Sequence, residues 1–165
     1  MTSEQAFDQF HQAVYNFAYR LTRRQDVAED ITQECFLLLV RDPQRFDEAR
    51  GTIKTYLFSV ARNLVLKHYR DHRLEFPAED EPPSAADPFR AIDVSSAVAH
   101  AVAGLPLLQQ EALILFEYEG LTLEEISAVL GADVGTVKSR LHRARNALRR
   151  LLAPYRNTEN THGTA

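Results

Sequence analysis

Apolar residues recur every three or four positions along most of this chain, and no useful stretch alternates with a period of two. Phe7, Phe10, Val14, Phe17 and Leu21 open the pattern and fall on one stripe of a helix predicted from about Ser3 to Leu21. Val27, Ile31, Leu38 and Phe36 or Leu39 give a second helix its apolar face, with Asp26 and Glu29 as an aspartate variant of the capping box and Asp42-Pro43 as its end. A polar connection follows, and Thr52 is placed to cap a third helix from about Ile53 to Arg73, with Ile53, Leu57, Val60, Ala61 and Leu64 inward. The fold class is therefore all-α.

Length and composition narrow the architecture further. At a soft prior of about 150 residues per domain, 165 residues make one domain or two small ones. From Phe76 to Asp93 stand Pro77, Pro82, Pro83 and Pro88 among five acids, which excludes a long helix and marks an acidic linker between two halves. That acidity also suits a solvated tether or a competitor for cationic surfaces. No window approaches the roughly 18 apolar residues of a membrane span, and the start MTSEQAFDQF lacks a signal-peptide pattern, so the expected location is the cytoplasm. The lone cysteine, Cys35, cannot form an internal disulfide and reads as a small buried thiol. No GxGxxG or GxxxxGK string offers a phosphate cradle.

The second half reads as short helices with sharp stops. Asp93 is a candidate cap for an Ala/Val helix to about Ala103, and Pro106 sits in the first turn of another reaching Tyr118, stopped by Gly120. Thr122 and Glu125 form a capping box for a helix to Leu130, Gly131 breaks it, and Asp133 or a neighbour starts a last helix to about Ala153. A short helix, a glycine turn and a second helix make a helix-turn-helix. The tail from Asn157 to Ala165 is expected to be disordered.

A net charge of −4 hides two basic islands. Residues 54–74 carry five basic and one acidic side chain, and residues 138–165 carry seven and one. On the last helix, Val137, Leu141, Ala144, Leu148 and Leu151 share the packing face, leaving Ser139, His142, Arg143, Asn146 and Arg150 opposite, flanked by Lys138 and Arg149. Such a face suits a major groove, where arginine reads guanine, asparagine suits adenine and flanking cations meet phosphates. Its bland counterpart is a solvated basic helix end favoured by the helix dipole. On the third helix Arg62, Lys67, Arg70 and Arg73 interleave with Tyr56, Phe58, Tyr69 and Asn63, a mixture that can hold unpaired bases or simply furnish core. An enzyme reading has one seed, His68 and His72 four apart on a helix, without a third ligand at fixed spacing.

Three strings taken together, DVAEDITQECFLLL, FDEARGTIKTYLFSVARNLVLKHYR and LPLLQQEALILFEYEGLTLEEISAVLGADVGTVKSRLHRARNALRRLL, resemble the extracytoplasmic-function class of bacterial RNA polymerase sigma factors. The resemblance runs to about Tyr155. It implies region 2 over residues 1–75, a linker over 76–93, region 4 over 94–156 and a tail over 157–165, with no added C-terminal domain expected. It also implies core RNA polymerase and promoter DNA as partners, no cofactor, no metal and no catalytic chemistry. Asp30, Gln33 and Glu34 match the contact with the clamp helices of the largest polymerase subunit, and region 4 is expected to meet the flap. The loop from Gln44 to Thr52 matches the one that receives a flipped base. Phe46, Tyr56, Arg62, Asn63, Lys67 and Arg70 become the minus-ten set, with Tyr56 where many relatives carry tryptophan. Lys138, Ser139, His142 and Arg143 match base-proximal positions for the minus-thirty-five element. Thr136 joins them at the helix start, and Arg140 and Arg145 are placed toward phosphates. An anti-sigma protein is a further expected partner. The alternative is a stand-alone helix-turn-helix regulator, which leaves Asp30, Gln33 and Glu34 without a role.

Overall fold

The computed structural model describes residues 1–72 and 94–159, so the linker expected at 76–93, including the Asp93 cap, lies outside the described residues. Seven α-helices and no strand occur among those residues: α1 (Ser3–Thr22), α2 (Gln25–Arg41), α3 (Ile53–Asp71), α4 (Val94–Ala103), α5 (Leu107–Leu113), α6 (Leu123–Leu130) and α7 (Val134–Glu159). The all-α expectation holds. Thr2 and Gln5 close a reciprocal capping box at the start of α1. Arg23 ends that helix in the left-handed region, φ 59°, and donates its N–H to the Tyr19 carbonyl at 2.7 Å. This tight reversal lays α2 back along α1.

Because the turn is so short, α2 starts at Gln25, and the capping role expected of Asp26 with Glu29 does not materialise. Arg24 holds the N-cap position without a side-chain cap, and Asp26 in the first turn accepts instead from Arg24 Nη2 at 2.8 Å. That bond holds the Asp26 carboxyl below its ordinary range. The Thr52 cap on α3 is present, accepting the Thr55 N–H at 3.2 Å. Val14, Phe17 and Leu21 of α1 meet Leu57, Phe58, Ala61 and Val65 of α3, with Phe17 and Phe58 edge to face at 5.4 Å. Phe58 is thus core, and the Tyr69 hydroxyl donates to the Leu21 carbonyl at 2.6 Å, so two of the three α3 aromatics left open by the sequence serve packing. Cys35 is fully buried, and burial pushes its thiol up to about 12, the inert small hydrophobe expected.

In the second half Pro106 stands one residue before α5 rather than inside it, and Ile114–Tyr118 forms a π-helical turn that periodicity did not anticipate. Thr122 and Glu125 make the expected box on α6, and Gly131 ends it at φ 63°, a conformation that penalises a Cβ. Asp133 then accepts the Thr136 N–H at 2.7 Å to start α7. That helix continues to Glu159 with Pro154 inside it, beyond the end expected near Ala153 and into the tail expected to be disordered. Residues 160–165 lie outside the described residues. Leu105, Ile114, Leu115, Ile126, Val137 and Leu141 form the buried centre of this half. The halves also pack on each other, α3 against α6 and α1 against α5.

Candidate nucleic-acid interface

The Thr122 box, the Gly131 stop and the Asp133 cap decide where α7 begins, and therefore which of its residues face outward. Val137, Leu141, Ala144 and Ala147 are buried, while Lys138, Ser139, His142, Arg143 and Arg149 are exposed. Along this outer face Asn146 lies 3.1 Å from His142 and accepts from Arg149 at 3.3 Å, a polar line along one helix side. Thr136 stands at the helix start, its backbone committed to Asp133. Hydrogen bonds from Thr136 keep the Asp133 carboxyl below its ordinary range, so the cap is charged at neutral pH. Arg145 leans over the Phe116 ring at 5.3 Å and pairs with Glu117 at 3.2 Å, leaving it at the edge of the face. Arg140 is placed differently from its neighbours. Its Nε is buried without a hydrogen-bond partner among the described residues.

The loop after α2 and the first turns of α3 enclose an open-sided cleft of about 300 Å³. Phe46 and Tyr56 form one wall, rings tilted and 5.6 Å apart, and Arg45, Arg50, Thr52 and Ser59 bring polar groups to it. A Cβ on Gly51 would stand 2.8 Å from Thr55 Oγ1, so the loop lies close against the helix start. An aromatic wall with hydrogen-bonding groups beside it is what an unstacked base requires. Farther along α3, Asn63, Lys67 and Arg70 are exposed at spacings of four and three, one continuous stripe. Arg62 is not on that stripe. Its Nε donates to Glu111 Oε1 at 3.0 Å, across the junction of the two halves.

On α2, Asp30 and Gln33 are exposed and Glu34 half-buried, and they form a polar ridge between two grooves. Asp30 and Glu34 line one of about 430 Å³ together with Lys67, His68 and His72 of α3. Gln33 borders the other, about 590 Å³, walled by Phe7, Phe36, Leu37 and Val40. Phe7, Leu37 and Val40 are 44%, 41% and 62% exposed, an apolar surface beside a polar ridge. The sequence carries the signal for it, since Gln33, Leu37 and Val40 follow one another at four and three on the same helical face. His68 and His72 have ring centroids 4.4 Å apart, yet among the described residues no group of three or more metal-ligating side chains is present.

Residues 6–75 match Sigma-70 region 2 and residues 95–148 match Sigma-70, region 4. The ECF RNA polymerase sigma factor EcfG of Rhodopseudomonas palustris is 34% identical over 142 residues, spanning 82% of this chain and 77% of its own length. The chain belongs to the ECF RNA polymerase sigma factors. SigE of Mycolicibacterium smegmatis, an ECF sigma factor, is 36% identical over 151 residues, 86% of this chain, and this sigma factor spans 58% of that relative's length. Among solved structures, the sigma factor RpoE of Bartonella quintana, in complex with the anti-sigma factor NepR, superposes with a TM-score of 0.70 at 27% identity, over 91% of this chain and 96% of that one. The sigma factor is accordingly a promoter-specificity subunit for transcription initiation, and the stand-alone regulator is not favoured. No helix among the described residues is long and apolar enough to cross a membrane.

Proposed function

We propose that this sigma factor divides its work among three surfaces. The α2 ridge of Asp30, Gln33 and Glu34, with the apolar groove beside Gln33, holds the clamp helices of core polymerase. A mixed surface of this kind suits a helical partner, because apolar side chains supply area and the polar ridge sets register. The Phe46–Tyr56 cleft captures a minus-ten base, and the Asn63, Lys67, Arg70 stripe follows the strand. The α7 face enters the major groove of the minus-thirty-five element, with Lys138, Ser139, His142 and Arg143 toward base edges and region 4 toward the polymerase flap. The chain acts in the cytoplasm, adds no chemistry of its own, and is a target for an anti-sigma protein, as RpoE is for NepR in its solved complex.

The observation that carries this reading is the coexistence, in one chain, of a capped helix-turn-helix with a cationic outer face and a second helix beside an aromatic base-sized cleft. A duplex-binding regulator needs only the first. Transcription from sheared genomic DNA by core polymerase, with and without the protein, tests it: discrete new 5′ ends sharing two upstream elements are expected, and an unchanged transcript set refutes it. The double substitution Gln33→Ala with Glu34→Ala is expected to weaken core-polymerase capture with helicity unchanged, checked by pull-down and circular dichroism. Undiminished capture removes the α2 ridge from the interface.

A further inference from the structure

The groove between α2 and α3 that Asp30 and Glu34 border also holds two histidines that none of the three surfaces above uses. His68 lies half-buried in the last turn of α3, and His72 is its exposed C-cap residue. The His72 N–H bonds to the His68 carbonyl at 3.1 Å, so the helical path runs through both and their rings rise from one face, a turn apart. The ring centroids are 4.4 Å apart. Two imidazoles on one tetrahedral ion, at metal–nitrogen distances of about 2.0–2.1 Å, have centroids about 5 Å apart, so a small rotation about side-chain bonds lets both rings share an ion. The tautomer of one ring is already set. A carbonyl can only accept, so His72 Nδ1–H donates to the His68 oxygen at 2.9 Å and the lone pair of the neutral ring is left on Nε2. Metal-bound histidines are held by an outer hydrogen bond of this kind.

The surroundings favour a cation. Both rings stand at the C-terminal end of a 19-residue helix, the negative pole of its dipole. Asp26, Asp30, Glu34 and Asp71 line the groove against Arg24 and Lys67, and Arg24 is already paired with Asp26 at 2.8 Å. Magnesium and calcium select oxygen ligands, whereas imidazole nitrogens select zinc, nickel or copper. We infer that His68 and His72 chelate a divalent transition metal of the zinc and nickel class in this groove, and that the bound ion opposes capture of core polymerase on the α2 ridge. No group of three or more ligating side chains is present among the described residues, so water fills the remaining positions, the carboxylates act as counter-charge and the ion is exchangeable. The opposition to capture rests on the reading of Asp30 and Glu34 as the clamp contact, since acids that meet partner cations lose attraction when a dication settles beside them.

Calorimetric titration of the untagged, chelator-treated full chain with zinc, nickel and magnesium chlorides reads the site without polymerase. One Zn²⁺ or Ni²⁺ per chain is expected, with Mg²⁺ silent. His72→Gln, a change at an exposed position, should weaken zinc binding at least about tenfold, no less than the loss of an outer-shell partner costs at a metal site, and His68→Gln should do the same. Absence of saturable binding, or binding undiminished in both variants, overturns the chelate. Mg²⁺ binding as tight as Zn²⁺ also overturns it, by assigning the groove to its carboxylates. In pull-downs with core polymerase, added Zn²⁺ should lower capture of the unsubstituted chain by about threefold to fivefold, the range of one exposed charge contact, and leave capture of His72→Gln constant. Zinc binding without any change in capture overturns the opposition while upholding the site. If Gln33→Ala with Glu34→Ala is then equally silent, the reading of the α2 ridge is what has failed.

Discussion

The two basic helices of this sigma factor have similar charge and opposite circumstances. On α7 the cations stand outside a buried stripe and most face solvent, whereas on α3 the charges divide, with Lys67 and Arg70 outside and Lys54 and Arg62 engaged by the other half of the chain. The difference comes from what packs against each. α7 packs against α4, α5 and α6, which take its apolar face and the Arg140 Nε, but α3 is sandwiched between α1, α2 and α6, and so has less free circumference. A cluster of cations in a sequence therefore marks a potential, and the neighbours decide how much of it reaches solvent.

The largest expected effect tests the buried side of α3. Phe58→Ala, which empties a fully enclosed site against Phe17, is expected to cost about 3–5 kcal/mol in denaturant unfolding. A cost near that of a surface change would return Phe58 to the nucleic-acid face. On α7 the contrast lies between base and phosphate contacts. Arg143→Ala should weaken one promoter sequence by about 1–3 kcal/mol and relax one base pair, while Arg149→Ala lowers affinity for all sequences alike, read by competition binding. Identical profiles for the two variants would erase the division of labour along that face.

A smaller effect probes how α7 is aimed. Thr122→Ala removes half of the α6 capping box and is expected to cost about 1 kcal/mol in thermal unfolding. The smallest concerns pH and α3 alone. Burial, with His72 beside it, holds His68 below its ordinary histidine range, so the fold favours the neutral ring. The corresponding stability is present above the ordinary value and is lost as pH falls through the lowered one. Melting temperature should therefore drop between neutral and mildly acidic pH, and His68→Asn should flatten that drop. An unaltered slope assigns the drop to other groups.

Much of this was legible before any coordinates. The three-and-four spacing of Val14, Phe17 and Leu21, the Thr52 and Thr122 caps and the Gly131 stop are local devices, satisfied by neighbours a few residues away, and each is found where its chemistry places it. The outward face of α7 follows from the same locality, because one buried stripe on a straight helix determines the opposite one. Asp26 fails to cap α2 for a local reason too: a left-handed Arg23 starts the helix earlier than the acid's position suggests.

Other features depended on contacts between residues far apart in the chain. Whether Phe58 and Tyr69 stack on bases or pack in the core was settled by Phe17 and by the Leu21 carbonyl, more than forty positions away. That Arg62 faces Glu111, that Arg140 Nε is buried, and that Leu37 and Val40 stay uncovered beside Gln33 were likewise decided only by how the helices pack. Periodicity says which side of a helix is apolar, since that depends on the helix alone. It is silent on which charge meets which, because partners for a buried ion are chosen by the packing of whole elements and not by spacing along any one of them.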